Sequence, residues 1–323
     1  MKIIHPSVEY WSQANTLDGI WEHAAKCTRV CYQSQPVKTG ESAKDFLLRT
    51  IAKNGFKKDK SSHMSVLEHA TVYLTITNNN FGFKSKKYKY LNNIYSKVVH
   101  IIYGYTVDGE DAFEEMLITT NLRVLVENDW LDDLRFIADD ITKHKKRYTF
   151  SFITNLGVSR ELNRHRCHSI SEESTRYCNY SKDKFDNGLT FVIPAWSNLE
   201  EGVITCDFDR DGNPYNRTYY INGEKNDQMF FNGFSFQFTN DFLWLVANKE
   251  AESSYLTLLK RGQKPQQARE VLPLSLKTQV VHTAFEDDWK DFIALRSDGI
   301  SGAPHPNIKV LADKVKELIE QMK

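Results

Sequence analysis

No run of about twenty apolar residues occurs anywhere in this chain of 323 residues, which excludes a helix suited to a bilayer core. Its start, Met1-Lys2-Ile3-Ile4-His5-Pro6, lacks the long apolar stretch of a signal peptide. The expectation is a cytoplasmic protein. Net charge is missing as well. The 42 basic side chains balance 42 acidic ones, so no bulk field drives the chain onto nucleic acid or membrane. Cysteine is sparse and odd in number, with Cys27, Cys31, Cys167, Cys178 and Cys206 unevenly spaced. That excludes a full disulfide framework and points to reduced thiols. No cysteine or histidine pair has structural-zinc spacing, so no metal is expected, and zinc on His63, His69, His165 and His168 is the weakest reading. Hydrophobic residues at 41% and charged residues at 26% are ordinary for a globular protein. A chain of this length can bury a sizeable core. We expect one domain over 1–323, with insertions at about 78–115 and 198–228.

What the sequence does have is concentrated at 163–177, Asn-Arg-His-Arg-Cys-His-Ser-Ile-Ser-Glu-Glu-Ser-Thr-Arg-Tyr. These fifteen residues hold three arginines, two histidines, two adjacent carboxylates, three serines and a threonine, far more hydrogen-bonding capacity than packing uses. A guanidinium fork fits phosphate oxygens two at a time, and hydroxyls and backbone N–H groups complete such a cradle. Arg164, Arg166 and Arg176, with Ser169, Ser171 and Ser174, therefore read as an anion-binding site. Glu172 and Glu173 would balance charge or accept hydrogen bonds from a sugar or base.

The rest of the chain supplies rigid elements around this stretch. Residues 16–32 place Ile20, Ala24, Cys27 and Cys31 at helical spacing. Ser42 and Asp45 open a second helix as a capping box, with Gly55 ending it near 54. The polar run His63-Met64-Ser65-Val66-Leu67-Glu68-His69 leads into 70–77, whose apolar and polar residues alternate as in a strand with one buried face. Histidines in such loops are most often exposed. Lys84, Lys86, Lys87, Tyr88, Lys89 and Tyr90 read as a sheet or hairpin edge guarded by lysines. Residues 116–123 read as a strand turning into a helix capped near Asn121, and a helix with Leu131, Leu134 and Ile137 on one face follows. A strand at 148–154 runs through a turn or helix at 157–162 to Arg164, which places charged groups on rigid elements. The Asp-Asn-Gly-rich stretch 198–228 lacks the full ligand spacing of a calcium loop. Its Asp211-Gly212 and Asn222-Gly223 pairs predict hairpin turns instead. Helices at 238–260 (closing at Gly262), 287–295 and 307–322, with a strand at 276–284, complete the expectation.

Arg164-His165-Arg166, seven residues, then Ser174 matches the RHRx7S signature of the flavin-dependent thymidylate synthases, and Ser169, Glu172, Arg176 and Tyr177 agree with its extended form. The H-x-S-x-x-E-H run at His63 to His69 resembles a second block of that family. Pro265-Gln266-Gln267-Ala268-Arg269-Glu270-Val271-Leu272-Pro273 resembles a third, and Arg296 falls at the matching distance beyond it. Ser171, Phe285, Asp287 and Asp291 differ from the residues common at those places, as does the segment 302–306.

The resemblance implies an α+β fold, a mainly antiparallel central sheet flanked by helices. It implies reductive methylation of dUMP to dTMP, with methylenetetrahydrofolate as carbon donor, FAD as cofactor and NADPH as reductant. By the same resemblance, dUMP is held by Glu161, Arg164, Glu172, Glu173, Ser174, Thr175, Arg176, Arg269 and Arg296, with Arg296 polarising the pyrimidine. FAD falls to His63, Ser65, Glu68, Arg164, His165, Arg166, Glu172 and Asp291. A homotetramer with sites between subunits is implied too. Two other readings are weighed against this: a same-fold C5 methyl- or hydroxymethyltransferase acting on dCMP or UMP, and a nucleic-acid-binding protein, which the balanced charge disfavours.

Overall fold

The computed structural model describes residues 1–34, 40–52, 63–80, 82–103, 113–208, 217–225, 229–231 and 236–322. The first half runs β1 (Lys2–Ile4), β2 (Ser7–Tyr10), α1 (Leu17–Tyr32), α2 (Ala43–Ile51), β3 (Thr71–Thr77), α3 (Phe83–Leu91), β4 (Lys97–Tyr103), β5 (Phe113–Asn121) and α4 (Leu122–Glu127). Next come β6 (Arg147–Asn155), α5 (Leu156–Leu162), β7 (Ser169–Glu172), β8 (Thr190–Val192), β9 (Gly202–Phe208), β10 (Arg217–Ile221) and β11 (Glu224–Lys225). The chain closes with β12 (Met229–Phe231), β13 (Phe236–Phe238), α6 (Asn240–Lys260), α7 (Pro265–Ala268), β14 (Lys277–Phe285), α8 (Glu286–Arg296) and α9 (Pro306–Gln321). A short 3₁₀ turn, Met64–His69, precedes β3. Among the described residues no helix is long and apolar enough to cross a membrane.

The architecture is α+β, but the strands are divided over several sheets where a single central one was expected. A four-stranded antiparallel sheet has the order β2-β6-β14-β7. The segment between β3 and β5 makes its own antiparallel sheet, β3-β5-β4, with a separate apolar core that includes Leu67, Val72, Leu74, Ile76 and Ile118. A third sheet, β11-β10-β9-β1-β8, contains the parallel pair β1 and β8. Each amphipathic layer closes over its own core, which is why the sheets separate.

The four-stranded sheet carries the site, and α8 and α9 cover one of its faces. Phe150 and Phe152 from β6 meet Trp289 and Phe292 from α8, with ring centroids 4.8 Å apart for Phe150 and Trp289. Ile308, Leu311, Ala312 and Val315 of α9 fall at helical spacing and complete that core. Each such side chain contributes about 1.5–3 kcal/mol on burial.

Several expected elements appear with their caps. Thr16 accepts from Gly19 N to start α1, and Ser42 accepts from Asp45 N to start α2. Asn121 caps α4 through Val124 N. Asn222 and Gly223 take positive φ in the β10–β11 hairpin. Gly55 and the Asp211-Gly212 pair lie outside the described residues.

Three expectations are corrected. The Lys/Tyr run forms α3, since Phe83 and Tyr90 lie two turns apart and are both buried, which anchors a helix with Lys84 exposed and Lys86, Lys87 and Lys89 half-buried. Tyr90 donates to Asp133 at 2.8 Å, which Lys89 also reaches. The start of β3 is buried on both faces, because Gln13 bonds Thr71 and Arg147 covers its hydroxyl. The stretch after Trp130 is only a 3₁₀ turn, Leu131–Phe136.

Candidate active site

β6 delivers the central stretch. Its last residue, Asn155, accepts from Val158 N at 2.8 Å and so caps α5, whose short length sets the chain down at Asn163. The chain then turns twice, with Leu162 O accepting from His165 N and His165 O from His168 N, and returns as β7 against β14. These turns leave Arg164, Arg166 and Cys167 exposed while His165 is half-buried and His168 buried. Among the described residues neither Arg164 nor Arg166 is tied to a carboxylate.

Arg296, the last residue of α8, closes on this turn from 131 positions away. Its Nε donates to His165 Nε2 at 3.2 Å, and its Nη1 pairs with Glu161 Oε2 at 3.2 Å. His165 must therefore be neutral, with Nε2 as acceptor. Burial, then the charges of Arg296 and Arg164, push its pKa down to about 4. Phe292, one turn before Arg296, holds the imidazole edge-on at 4.9 Å. A cavity of about 510 Å³ lies beside Glu161, lined also by Trp196, Asp241, Trp244, His305 and Asn307.

The two carboxylates of the stretch part company. Glu172 is half-buried and accepts from Asn163 Nδ2 and Thr278 Oγ1, both at 3.0 Å. Glu173 turns inward, where Lys277 pairs with it at 2.7 Å and Tyr180 donates at 2.9 Å. Ser174 N donates to Cys31 O, which ties the following turn to the end of α1. Arg269 Nη1 approaches Thr175 Oγ1 at 3.5 Å, so the 265–273 block meets the central stretch. Arg176 stands exposed beside the Tyr177 ring.

The 3₁₀ turn Met64–His69 is fastened to the same sheet. His63 and Ser65 are exposed. The Glu68 carboxylate pairs with Arg123, which also reaches Glu127 at 2.7 Å. His69 departs from the exposed position that loop histidines usually take. It is fully buried, with Nδ1 2.8 Å from Thr283 Oγ1 and Nε2 2.9 Å from Ser171 Oγ. The chain of contacts continues through Thr149 to His23. Burial holds His69 neutral, with its pKa down at about 3.

Other residues of the site were not singled out in the sequence. Arg147 bonds Glu68 O and Ser169 Oγ; the signal available was a charge opening an otherwise uncharged strand. His168 Nδ1 meets His282 Nδ1 at 3.1 Å and its ring lies 4.4 Å from Trp289. No local signal marks His282. Lys97 of β4 reaches Asp287 at 3.2 Å and lies 4.4 Å from the Phe285 ring. Asp291 stands exposed on α8.

This donor set fits a phosphate-bearing ligand or cofactor. The guanidinium groups at 164, 166 and 176 are exposed, and Arg269 lies beside the Thr175 hydroxyl next to Arg176, donors that suit phosphate oxygens. Among the described residues no group of three or more His, Cys, Asp or Glu is placed to hold a metal ion.

The family model described as thymidylate synthase complementing protein matches residues 141–322. The match takes in the central stretch, Arg269 and Arg296 but not the His63–Glu68 run. No curated protein matches the chain. Among solved structures, the chain is similar to a UMP/dUMP methylase PolB from Streptomyces cacaoi bound with 5-Br dUMP, at 23% identity and a TM-score of 0.36, over 54% of this chain and 66% of that one. The same enzyme bound with 5-Br UMP gives 22% identity and a TM-score of 0.36, over 54% and 69%.

Proposed function

Because the chain belongs to the thymidylate synthase complementing protein family, the flavin-dependent thymidylate synthases, we propose that it methylates dUMP at C5 to give dTMP. The observation that carries this reading is the contact of Arg296 with His165 and Glu161, beside Arg164 and Arg166, which no carboxylate among the described residues neutralises. That contact supports a fixed cation for the ring close to Arg164, one of the groups suited to phosphate.

In this reading Arg164, Arg176 and Arg269 hold the nucleotide phosphate, with Ser174 and Thr175 completing the cradle. The pyrimidine meets Arg296 where Glu161 and His165 hold it. Uracil C5 becomes nucleophilic only as negative charge develops on the ring, and a preorganised cation in a site with little water stabilises that charge. An arginine guanidinium does not serve as an ordinary proton acceptor, so the role of Arg296 is electrostatic. Glu161 and neutral His165 fix its orientation. Glu172 accepts from the nucleotide, and Glu173, already held by Lys277 and Tyr180, contributes by keeping the turn in place.

FAD would be held by His63, Ser65, Glu68, Arg164, His165, Arg166, Glu172 and Asp291. When bound it supplies the reducing equivalents, replenished by NADPH, while methylenetetrahydrofolate gives the carbon. The protein's share is to bind, orient and exclude water.

The test is an anaerobic assay of the purified protein with FAD, NADPH, methylenetetrahydrofolate and dUMP. A visible flavin spectrum that bleaches with NADPH, followed by dTMP in the products, is the expected result. A protein that takes up no FAD and yields no dTMP overturns the reading.

A further inference from the structure

Arg147 opens β6 and is buried, yet every group it bonds is neutral. Nη1 donates to Thr71 Oγ1 at 3.2 Å, and Nη2 donates to Glu68 O at 3.1 Å and Ser169 Oγ at 3.4 Å. Among the described residues its Nε has no partner. The guanidinium carbon lies 5.4 Å from the centre of the Phe285 ring. The nearest acids do not neutralise it by contact, since Glu68 turns its carboxylate to Arg123 and Asp288 acts only at a distance. The neighbouring histidines are held neutral, and the charge of Arg147 is one cause for His23, His69 and His168.

A buried cation with only neutral partners is costly to keep. An incoming negative charge nearby offsets that cost, because Coulomb attraction is strong where water is excluded. The turn Met64–His69 meets the guanidinium through the Glu68 carbonyl.

We propose that Arg147 is a positioning residue for the cofactor, a fixed positive charge beneath the 63–69 turn that favours the reduced form of a flavin bound over it. This rests on the flavin reading above. Reduction adds negative charge to the ring system, so a cation beneath it raises the midpoint potential. The bonds to Glu68 O and Ser169 Oγ hold the 63–69 turn against β7, which keeps the charge and the cofactor in register. Arg147 lies within the 141–322 match, while the turn it supports lies outside.

The experiment compares wild type, Arg147→Lys and Arg147→Met, each loaded with FAD, by anaerobic midpoint potential and by thermal unfolding. The expected result is a more negative potential for Arg147→Met and a potential near wild type for Arg147→Lys, although both lose hydrogen bonds. Arg147→Gln replaces Arg147→Met if the latter does not fold. Retention of FAD by the lysine variant and its loss from the folded neutral variant also supports the proposal. An unchanged potential in the neutral variant, an equal shift in both, or loss of FAD from both overturns it while leaving the flavin reading intact. A wild-type protein that binds no FAD overturns the flavin reading itself, and this proposal with it.

Discussion

At the scale of single residues, Arg296 is the most exposed to test. Replacing it with glutamine removes the cation while keeping hydrogen-bonding capacity toward Glu161 and His165. Loss of one preorganised electrostatic group costs about 10²–10³ in kcat, so dTMP formation by Arg296→Gln should fall by roughly that factor. A variant that turns over dUMP at the wild-type rate would remove Arg296 from the chemistry. The buried histidines make a second prediction, about pH. His23 is held at about 4, and His69 and His168 at about 3, all by burial first. Each is neutral in the folded chain but takes a proton near 6.5 when unfolded. Stability is therefore fully present above pH 6.5 and lost as pH falls toward 3, by about 1.4 kcal/mol per unit for each histidine. Urea unfolding at pH 7.5 and 5.5 measures this, and equal stability at both would contradict the burial of these rings.

At the scale of elements, α5 is short and depends on its cap. Asn155→Ala should cost about 1 kcal/mol and, by loosening the turn that presents Arg164, weaken binding of dUMP. Chemical denaturation and nucleotide titration read the two effects separately. The joint between β6 and α8 is larger. Trp289 is fully buried, packs on Phe150 and His168, and donates to Tyr148 O at 3.1 Å. Trp289→Ala should cost about 3–5 kcal/mol, visible as a lowered urea midpoint. Much of this scale was legible in the chain. Ser42 and Asn121 cap where expected, because a cap is a contact between residues three apart. The Lys/Tyr run was misread as a strand edge because only the burial of Phe83 and Tyr90 by the neighbouring sheet decides its period.

At the scale of the whole molecule, the four-stranded sheet gathers segments from the first, middle and last parts of the chain onto one surface. Homotetramer formation with sites shared between subunits remains our proposal. It predicts four chains per particle by sedimentation equilibrium of the full-length protein. A monomer that is fully active would defeat it.

The sequence by itself determined the family, through the spacing of Arg164, His165, Arg166 and Ser174, and most of the local elements, through periodicity and capping. These are contacts within a few residues, so the chain carries them whatever its fold. Tertiary structure alone decided that Arg296 closes on His165, that His69 is a buried bolt between Ser171 and Thr283, that Glu173 faces inward to Lys277, and that buried Arg147 bonds the Glu68 carbonyl of the 63–69 turn. Those partners lie 79 to 131 positions apart in most cases. Only the packing of separate sheets and helices, which excludes water and fixes each polar group's available partners, brings them together.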